Sequence, residues 1–228
     1  MITVNPSPDT LDSALLEAYR HVAPTNLGHA LESGMGPEIR PIWRPVKLVG
    51  PALTVQTTPD VTGAMGEATK IARPGDVLVV NRAGDLRHGF VGEFASIRLI
   101  EAGITGLVTD GLVSDVVAIE RMKFPVFAAG LSATVVQPLA AGREPEGAVN
   151  VPIRVGGVIV SPGDLVMADD DGVLIATPEQ AREYLLYCQV FEEWETYARG
   201  LLAAGRLLSD IAKERQEFER RAYEKART

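Results

Sequence analysis

The chain has 228 residues, of which 46% are hydrophobic, and it carries a formal net charge of −8. Binding along a nucleic acid needs clustered Lys and Arg, so this charge argues against a nucleic-acid surface, and no apolar run approaches the roughly 20 residues of a membrane span. Cys188 stands alone, which excludes an intramolecular disulfide and a thiolate zinc site. Because the N-terminus lacks a basic patch followed by an apolar stretch, we expect a cytoplasmic protein that binds a small solute or another protein.

The first predicted element is a helix over residues 10–22. Leu11, Leu15 and Tyr19 lie along one side of it, and Thr10 is the candidate N-cap. From Pro45 onward the chain changes to short apolar runs that are typical of strands. These runs lie at residues 46–57, 76–80, 106–110, 125–130, 151–155, 157–160 and 164–176, with helical patterns at 62–72, 92–102 and 114–122. The alternation predicts an α/β fold.

Two turns of nearly the same sequence come before strands. They are Arg-Pro-Gly-Asp at residues 73–76 and Ser-Pro-Gly-Asp at residues 161–164. Pro-Gly favours a type II turn, which directs the chain into the strand that follows. We therefore interpret both turns as structural.

The C-terminal part predicts two helices. Thr177, Pro178 and Gln180 indicate a capping box with Pro at the first helical position, and helical spacing continues to Ala204. A strongly charged second helix covers residues 209–227. We predict one domain over residues 1–228, with a core at about 25–176 and a helical extension at about 177–228. Appended helices of this kind often serve in oligomer contacts.

Gly92, Glu93, Phe94 and Ala95 lie at the start of a predicted helix. Unpaired backbone N–H groups and the helix dipole favour an anion there, for example a substrate carboxylate. The glycine also allows close approach of a ligand to the backbone. Every helix has such a start, so this pattern alone leaves the structural interpretation open.

A second candidate is the segment of residues 110–115, at the carboxyl end of the predicted strand 106–110. Ligands usually bind at that end of strands in α/β sheets, and a carboxylate there can hold a hard divalent cation. The structural alternative is that Asp110 and Gly111 form a turn, Ser114 is an N-cap and Asp115 is a favourable acid in the first helical turn. Spacing alone does not decide between them.

Other motifs favour structural roles or are missing. The three aspartates at residues 169–171 do not match an EF-hand loop, so we expect a turn between two strands. Of His21, His29 and His88, only His88 lies in the loop near Glu93, and no paired spacing predicts a histidine-bound zinc. The sequence has no serine-hydrolase elbow, P-loop or dinucleotide-binding motif.

Several of these blocks together resemble the family of the 4-hydroxy-4-methyl-2-oxoglutarate aldolases, which includes the regulator of ribonuclease activity A. The matching blocks are GEFA at 92–95, DGLVSD at 110–115, FPVFA at 124–128, PGD at 162–164 and DDDGV at 169–173. The resemblance covers residues from about 25 to 176. It implies an α/β fold with a swivelling β/β/α-type core, here with an N-terminal helix and two C-terminal helices. It also implies a homo-oligomer, either a trimer or a dimer of trimers, with active sites near subunit interfaces.

The resemblance further implies roles for individual residues. The amides of residues 92–95 would bind the carboxylate of a small 2-oxo acid, and Asp115 would hold Mg²⁺ or Mn²⁺. The candidate catalytic residues are Asp115, Arg87 and Glu93, and the candidate substrate-binding residues are Gly92, Glu93, Phe94, Ala95 and Ser114. Acidic residues of a neighbouring C-terminal helix also contribute in the aldolases, and Glu192, Glu193 and Glu195 lie in a comparable place.

The chain departs from the family pattern at Ser114, where the aldolases have an arginine that stabilises the enolate oxygen. Loss of one such donor typically costs about 2.7–4 kcal/mol of transition-state stabilisation. Arg87 in the loop is the expected replacement, ahead of Arg98 on the helix.

The resemblance thus predicts a metal-dependent lyase that releases pyruvate from a 2-oxo acid, with oxaloacetate decarboxylation as a side activity. The alternatives are a related lyase or hydrolase for another oxo or hydroxy acid, and a non-catalytic binding protein like the ribonuclease regulator. Neither nucleic acid nor membrane is an expected partner.

Overall fold

The computed structural model describes residues 1–9, 11–59, 63–137 and 144–226. The strands are β1 (Ile2–Val4), β2 (Arg40–Pro41), β3 (Leu48–Gln56), β4 (Val77–Asn81), β5 (Gly89–Val91), β6 (Gly106–Thr109), β7 (Leu112–Val113), β8 (Val126–Ala128), β9 (Gly130–Leu131), β10 (Gly147–Val149), β11 (Ile153–Val155), β12 (Val158–Val160), β13 (Leu165–Asp169) and β14 (Gly172–Ala176). The helices are α1 (Ser13–Arg20), α2 (Pro24–Gly28), α3 (Gly63–Ile71), α4 (Glu93–Glu101), α5 (Val116–Arg121), α6 (Pro178–Ala203), α7 (Leu208–Ile211) and α8 (Arg215–Ala226).

The helix ends agree with the sequence patterns in part. Helix α1 begins at Ser13, because the side chain of Asp12 caps it by accepting a hydrogen bond from the amide of Ala14 at 2.6 Å. The predicted N-cap Thr10 and the predicted start of α3 at residue 62 lie outside the described residues. The capping box of Thr177 and Gln180 is confirmed at the start of α6. The predicted last helix is divided into α7, one 3-10 turn and α8.

Nine of the described strands form one sheet. Strands β3, β4, β6 and β8 are parallel neighbours in that order, and α3, α4 and α5 lie between them in the chain. Strand β3 pairs with antiparallel β13 through its first half and with parallel β4 through its second half. This arrangement is the α/β class that the alternation of strands and helices predicts.

Apolar side chains cover both faces of the sheet. Leu78 and Val80 of β4 belong to the core beside α3, α4 and α5, whereas Val79 belongs to the core beside the hairpin of β11 and β12. Successive side chains of a strand point to opposite faces, which explains why β4 is apolar at its first four positions, from Val77 to Val80. A third core joins α1 and α6 to β13 and β14, and there the hydroxyl of Tyr19 donates to the carbonyl of Ala181 at 2.7 Å. No helix in the described ranges is long and apolar enough to cross a membrane.

The two Pro-Gly-Asp turns adopt the same conformation, as predicted. Gly75 has φ +97° and Gly163 has φ +84°, values that a type II turn requires at its third residue. In each turn the aspartate side chain accepts a hydrogen bond from the first residue's amide, at 2.8 Å for Asp76 and 2.7 Å for Asp164. Both carboxyl groups are buried at the start of a strand.

Burial has an electrostatic consequence at Asp164, which is 5% exposed. Desolvation raises its pKa to about 6, and the nearby charge of Glu179 acts in the same direction, against the hydrogen bond from Ser161. A raised folded-state pKa favours the folded protein while the group is protonated. That contribution is complete below the unfolded-state pKa of 3.8 and is lost as the pH rises through about 6.

We therefore expect Asp164→Asn to flatten the pH dependence of stability. In the unmodified chain, this residue lowers the free energy of unfolding by up to about 3 kcal/mol between pH 4 and pH 6. Urea unfolding across that range measures the effect. Glu101→Gln, at the exposed end of α4, is the control and should leave the slope unchanged. An equal slope in Asp164→Asn and in the unmodified chain would contradict the assignment.

Candidate active site

A small parallel sheet of β5, β7 and β9 lies beyond the carboxyl ends of β4, β6 and β8. Gly89 of β5 pairs with Leu112 of β7, and Leu112 pairs with Gly130 of β9. Helix α4 begins directly after β5, and α5 begins shortly after β7. The two sequence segments singled out above, residues 92–95 and 110–115, are therefore neighbours in space.

A hydrogen bond joins these two segments. The backbone N–H of Glu93, the first residue of α4, donates to Oδ2 of Asp115 at 2.9 Å. Gly92 makes this approach possible, because a Cβ at that position would lie 2.2 Å from Oδ2 of Asp115 and 2.7 Å from Oγ of Ser114. The requirement for glycine in the sequence block at 92–95 thus has a steric cause.

Asp115 has a left-handed backbone conformation, with φ 57° and ψ 37°. Asp and Asn tolerate this region better than other residues with a side chain. The structural alternative for this segment is wrong in its details: Asp115 rather than Ser114 is the N-cap of α5, and its side chain makes no cap hydrogen bond there. Its carboxylate lies instead at the start of α4, and the residue is exposed.

The start of α4 offers further N–H groups. Those of Phe94 and Ala95 belong to the first turn and have no partner within the helix. The ring of Phe94 is 77% exposed, and the side chain of Glu93 is exposed as well. Ser114 is half-buried, and its backbone N–H donates to the carbonyl of Val91 at 2.9 Å. The five predicted substrate-binding residues therefore lie together around one helix start.

Arg82 is a buried residue of this region that the sequence analysis did not identify. Its guanidinium is 0% exposed, lies over the ring of Phe90 at 4.6 Å, and donates to Oγ1 of Thr57 at 3.0 Å and to Oδ2 of Asp85 at 2.9 Å. It also donates to the carbonyls of Thr58 and Pro59. Its position at the carboxyl end of β4 was the sequence feature that could have identified it. Because its guanidinium is buried and hydrogen-bonded, Arg82 stabilises the loops around it.

Asp110 and Gly111 are held by the same arginine. The amide of Arg82 donates to Oδ1 of Asp110 at 2.7 Å, and a Cβ on Gly111 would lie 2.3 Å from Cγ of Arg82. Burial raises the pKa of Asp110, partly offset by the hydrogen bond from the Arg82 amide. Here the structural interpretation of the Asp-Gly pair is supported, which distinguishes Asp110 from the exposed Asp115.

Arg87 and Arg98 differ in how they are placed. The backbone of Arg87 is fixed at both ends, because its N–H donates to Asp85 at 3.0 Å and its carbonyl accepts from Oγ of Ser132 at 2.8 Å. Its side chain is exposed. Arg98 is exposed in the last turn of α4, away from the amides at the helix start. Arg87 stays the predicted replacement cation because of its position in the loop.

The three glutamates of α6 have different surroundings. Glu192 accepts from the side chain of Asn26 at 2.9 Å, and Glu195 pairs with Arg199 at 3.1 Å. Glu193 is exposed, and within the described part of the chain its carboxylate has no hydrogen-bond or ion-pair partner. Glu193 is therefore the glutamate of this set that is available to another molecule.

The aspartates at residues 169–171 form the turn between β13 and β14, as interpreted from the sequence. Oδ1 of Asp170 accepts from the amide of Val46 at 3.0 Å, and Oδ1 of Asp169 accepts from the amide of Asp171 at 3.0 Å. Across the residues that the structure describes, no group of three or more His, Cys, Asp or Glu side chains could hold a metal ion.

Comparison with known proteins gives the family. The model of the RraA-like family, described as Aldolase/RraA, matches residues 14–175. The chain belongs to this family, as its sequence blocks predict.

One relative, from Halalkalibacterium halodurans, carries the provisional name 4-hydroxy-4-methyl-2-oxoglutarate aldolase. It is 33% identical over 169 residues, which cover 73% of this chain and 78% of the relative.

Solved structures confirm the RraA-like fold. Streptomyces coelicolor RraAS2, described as an unusual member of the RNase ES inhibitor RraA family, has a TM-score of 0.72 and 27% identity and covers 84% of this chain and 98% of its own. An uncharacterized protein from Pseudomonas syringae has a TM-score of 0.75 at 21% identity and covers 90% of this chain and 100% of its own. The predicted fold class, with an N-terminal helix and C-terminal helices, is correct.

The contact between Gly92 and Asp115 can be tested through stability. Gly92→Ala places a methyl group against the Asp115 carboxylate, so we expect a loss of about 1–3 kcal/mol in the free energy of unfolding and faster hydrogen exchange at the Glu93 amide. Gly66→Ala in α3 is the control, because a Cβ there meets nothing within 4 Å. It should stabilise the chain by up to about 1 kcal/mol. Equal behaviour of the two variants would refute the steric argument.

Proposed function

We propose that the chain is a divalent-metal-dependent lyase that cleaves a carbon–carbon bond of a small 2-oxo acid and releases pyruvate. The observation that carries this proposal is the contact of Asp115 with the amide of Glu93, which puts an exposed carboxylate beside the open start of α4. An anion-binding helix start next to a cation-binding carboxylate suits a substrate with a carboxylate and a neighbouring carbonyl. The provisional name of the 33% identical relative supports the same class of reaction.

Asp115 is the residue that would hold the cation. One carboxylate oxygen, Oδ2, accepts from Glu93, and Oδ1 has no hydrogen-bond partner among the described residues. Mg²⁺ commonly uses one or two carboxylates and keeps several waters, so a single exposed aspartate fits it, and Mn²⁺ has the same preference for oxygen. When bound, the cation would act as a Lewis acid that stabilises negative charge on the 2-oxo oxygen.

The surrounding residues bind and orient the acid. The first-turn amides of Phe94 and Ala95 would donate to its carboxylate, and the helix dipole would favour that charge. Ser114 contributes a hydroxyl where the aldolases have a guanidinium, and Arg87 would supply the positive charge from the neighbouring loop. Glu93 holds Asp115 through its backbone N–H, and its exposed carboxylate would lie beside the bound cation and acid as a further candidate catalytic group.

The neighbouring subunit would complete the site in a homo-oligomer, a trimer or a dimer of trimers. Of the three glutamates on α6, Glu193 has the available carboxylate, while Glu192 and Glu195 are engaged within the same chain. We propose that Glu193 of the partner subunit faces Asp115 across the interface.

Two observations favour functions other than the proposed one. Ser114 in place of the arginine favours a different small oxo or hydroxy acid as substrate. The likeness to RraAS2, whose family is described as RNase ES inhibitors, favours a binding protein without catalysis. The pyruvate-release experiment described next separates the proposed lyase from these two alternatives.

Asp115→Asn tests the metal and the carboxylate together. Asparagine also tolerates the left-handed conformation and its carbonyl can accept from Glu93, so the variant removes the charge with little change of shape. We expect pyruvate release from oxaloacetate and from 4-hydroxy-4-methyl-2-oxoglutarate, with Mg²⁺ or Mn²⁺, to fall by about 10²–10³-fold or more. A chelator should have the same effect on the unmodified enzyme.

Asp171→Asn serves as the control and should retain full activity. Metal-dependent activity that survives in Asp115→Asn would rule out Asp115 as the ligand. No pyruvate from either acid in the unmodified chain would favour another acid substrate if a screen of small oxo acids gives turnover, and the binding protein if it does not.

Mixed oligomers test the shared site. Asp115→Asn and Glu193→Gln subunits should each be inactive alone. After unfolding and refolding together in equal amounts, about a quarter of the sites would contain both unmodified residues and regain activity. Pyruvate release of the mixture measures this. Activity no higher than the sum of the separate variants would show that the residues do not meet across an interface.

A further inference from the structure

The buried carboxylate of Asp85 holds the imidazole of His88 in the loop between β4 and β5, at the carboxyl ends of the parallel strands. Nδ1 of His88 lies 3.2 Å from both carboxylate oxygens of Asp85, and the backbone N–H of His88 also donates to Oδ1 of Asp85 at 3.3 Å. The side chain of Asp85 is 5% exposed, and that of His88 is 33% exposed. In the ranges that the structure describes, Nε2 of His88 has no hydrogen-bond partner.

The charge of Asp85 decides which ring nitrogen carries the proton. Burial alone would raise the pKa of Asp85, but hydrogen bonds from the Arg87 amide, the Arg82 guanidinium and His88 outweigh it and hold the pKa below its ordinary value. An ionised carboxylate only accepts hydrogen bonds, so Nδ1 of His88 is the donor. In the neutral ring, Nε2 is then unprotonated and basic, the arrangement of a histidine that an acidic partner orients for proton transfer.

The position of His88 relates it to the proposed site. The next residue, Gly89, pairs with β7, and a Cβ on Gly89 would lie 3.4 Å from Cβ of Ser114. His88 is therefore one residue before Gly89, and Gly89 is where this loop contacts the segment that carries Asp115. Gly89 also donates to the carbonyl of Thr134 at 2.8 Å, which fixes the loop from the other side.

Few charges surround the imidazole. Arg82, Asp85 and Arg87 lie on its own loop, and Asp115 follows the neighbouring strand. The segment of residues 131–137, which packs against the loop, contains no ionisable side chain. Asp85 is the one acid in direct contact with the ring among the described residues.

We propose that His88 is the general base of the carbon–carbon cleavage and that Asp85 is its positioning residue. This proposal rests on the lyase function proposed above. In a 4-hydroxy-2-oxo acid, Nε2 would take the proton of the 4-hydroxyl group, the C4–O bond would become a carbonyl, and the C3–C4 bond would break. Its electron pair would form the enolate of pyruvate, and the imidazolium would return the proton to C3. No oxidant or further reactant is needed.

Two substrates separate this role from a structural one. Cleavage of a 4-hydroxy-2-oxo acid needs a base for the hydroxyl proton, whereas decarboxylation of oxaloacetate reaches the same enolate without that step. His88→Gln should therefore lower kcat for cleavage by about 10²–10⁴-fold and change decarboxylation by less than about tenfold.

Asp171→Asn, at the exposed turn between β13 and β14, is the control. It should leave both reactions unchanged. Unchanged cleavage in His88→Gln, or an equal loss of both reactions, would overturn the role of His88 while leaving the lyase function in place. Absence of both reactions in the unmodified chain would instead overturn the lyase function, and the proposal for His88 with it.

Discussion

The hydrogen bond between the Glu93 amide and the Asp115 carboxylate is the constraint on which the candidate site depends. It joins the starts of two helices that follow neighbouring strands, at a distance of 2.9 Å. The contact requires a residue without a side chain at Gly92 and a left-handed backbone at Asp115. Such a conformation is uncommon outside glycine and persists where the surrounding structure fixes it. Local strain, close packing and an exposed carboxylate therefore coincide at one point of the fold.

The loops around this contact are held by a second, buried set of interactions. Arg82 connects the loop after β3 with that after β4, and its backbone fixes Asp110 after β6. A fully buried arginine is costly unless its donors are satisfied, and here carbonyl, hydroxyl and carboxylate oxygens accept from it. Because Asp85 and Asp110 bind Arg82, they are parts of the framework. Asp115 and His88 keep exposed atoms that a ligand can reach.

Sequence patterns predicted the α/β class, most strands, the Pro-Gly-Asp turns and the capping box at Thr177, because these depend on local periodicity and turn chemistry. The blocks at 92–95 and 110–115 also indicated the right regions, but not which carboxylate is exposed. Asp110 and Asp115 look alike in sequence, and the difference arises from Arg82, 28 residues before Asp110. The same limit applies to Glu192 and Glu193, since Glu192 is distinguished by its contacts, among them those with Ala23 and Asn26, which are far from it in sequence. Long-range contacts of this kind have no local signature.

A crystal structure with Mn²⁺ and oxalate, a stable analogue of the pyruvate enolate, tests the central claim most directly. The account predicts anomalous density for Mn²⁺ beside Asp115 and an oxalate carboxylate on the amides of Phe94 and Ala95 at the start of α4. Manganese bound elsewhere, with Asp115 still in contact with Glu93 and no oxalate at the helix start, would contradict it.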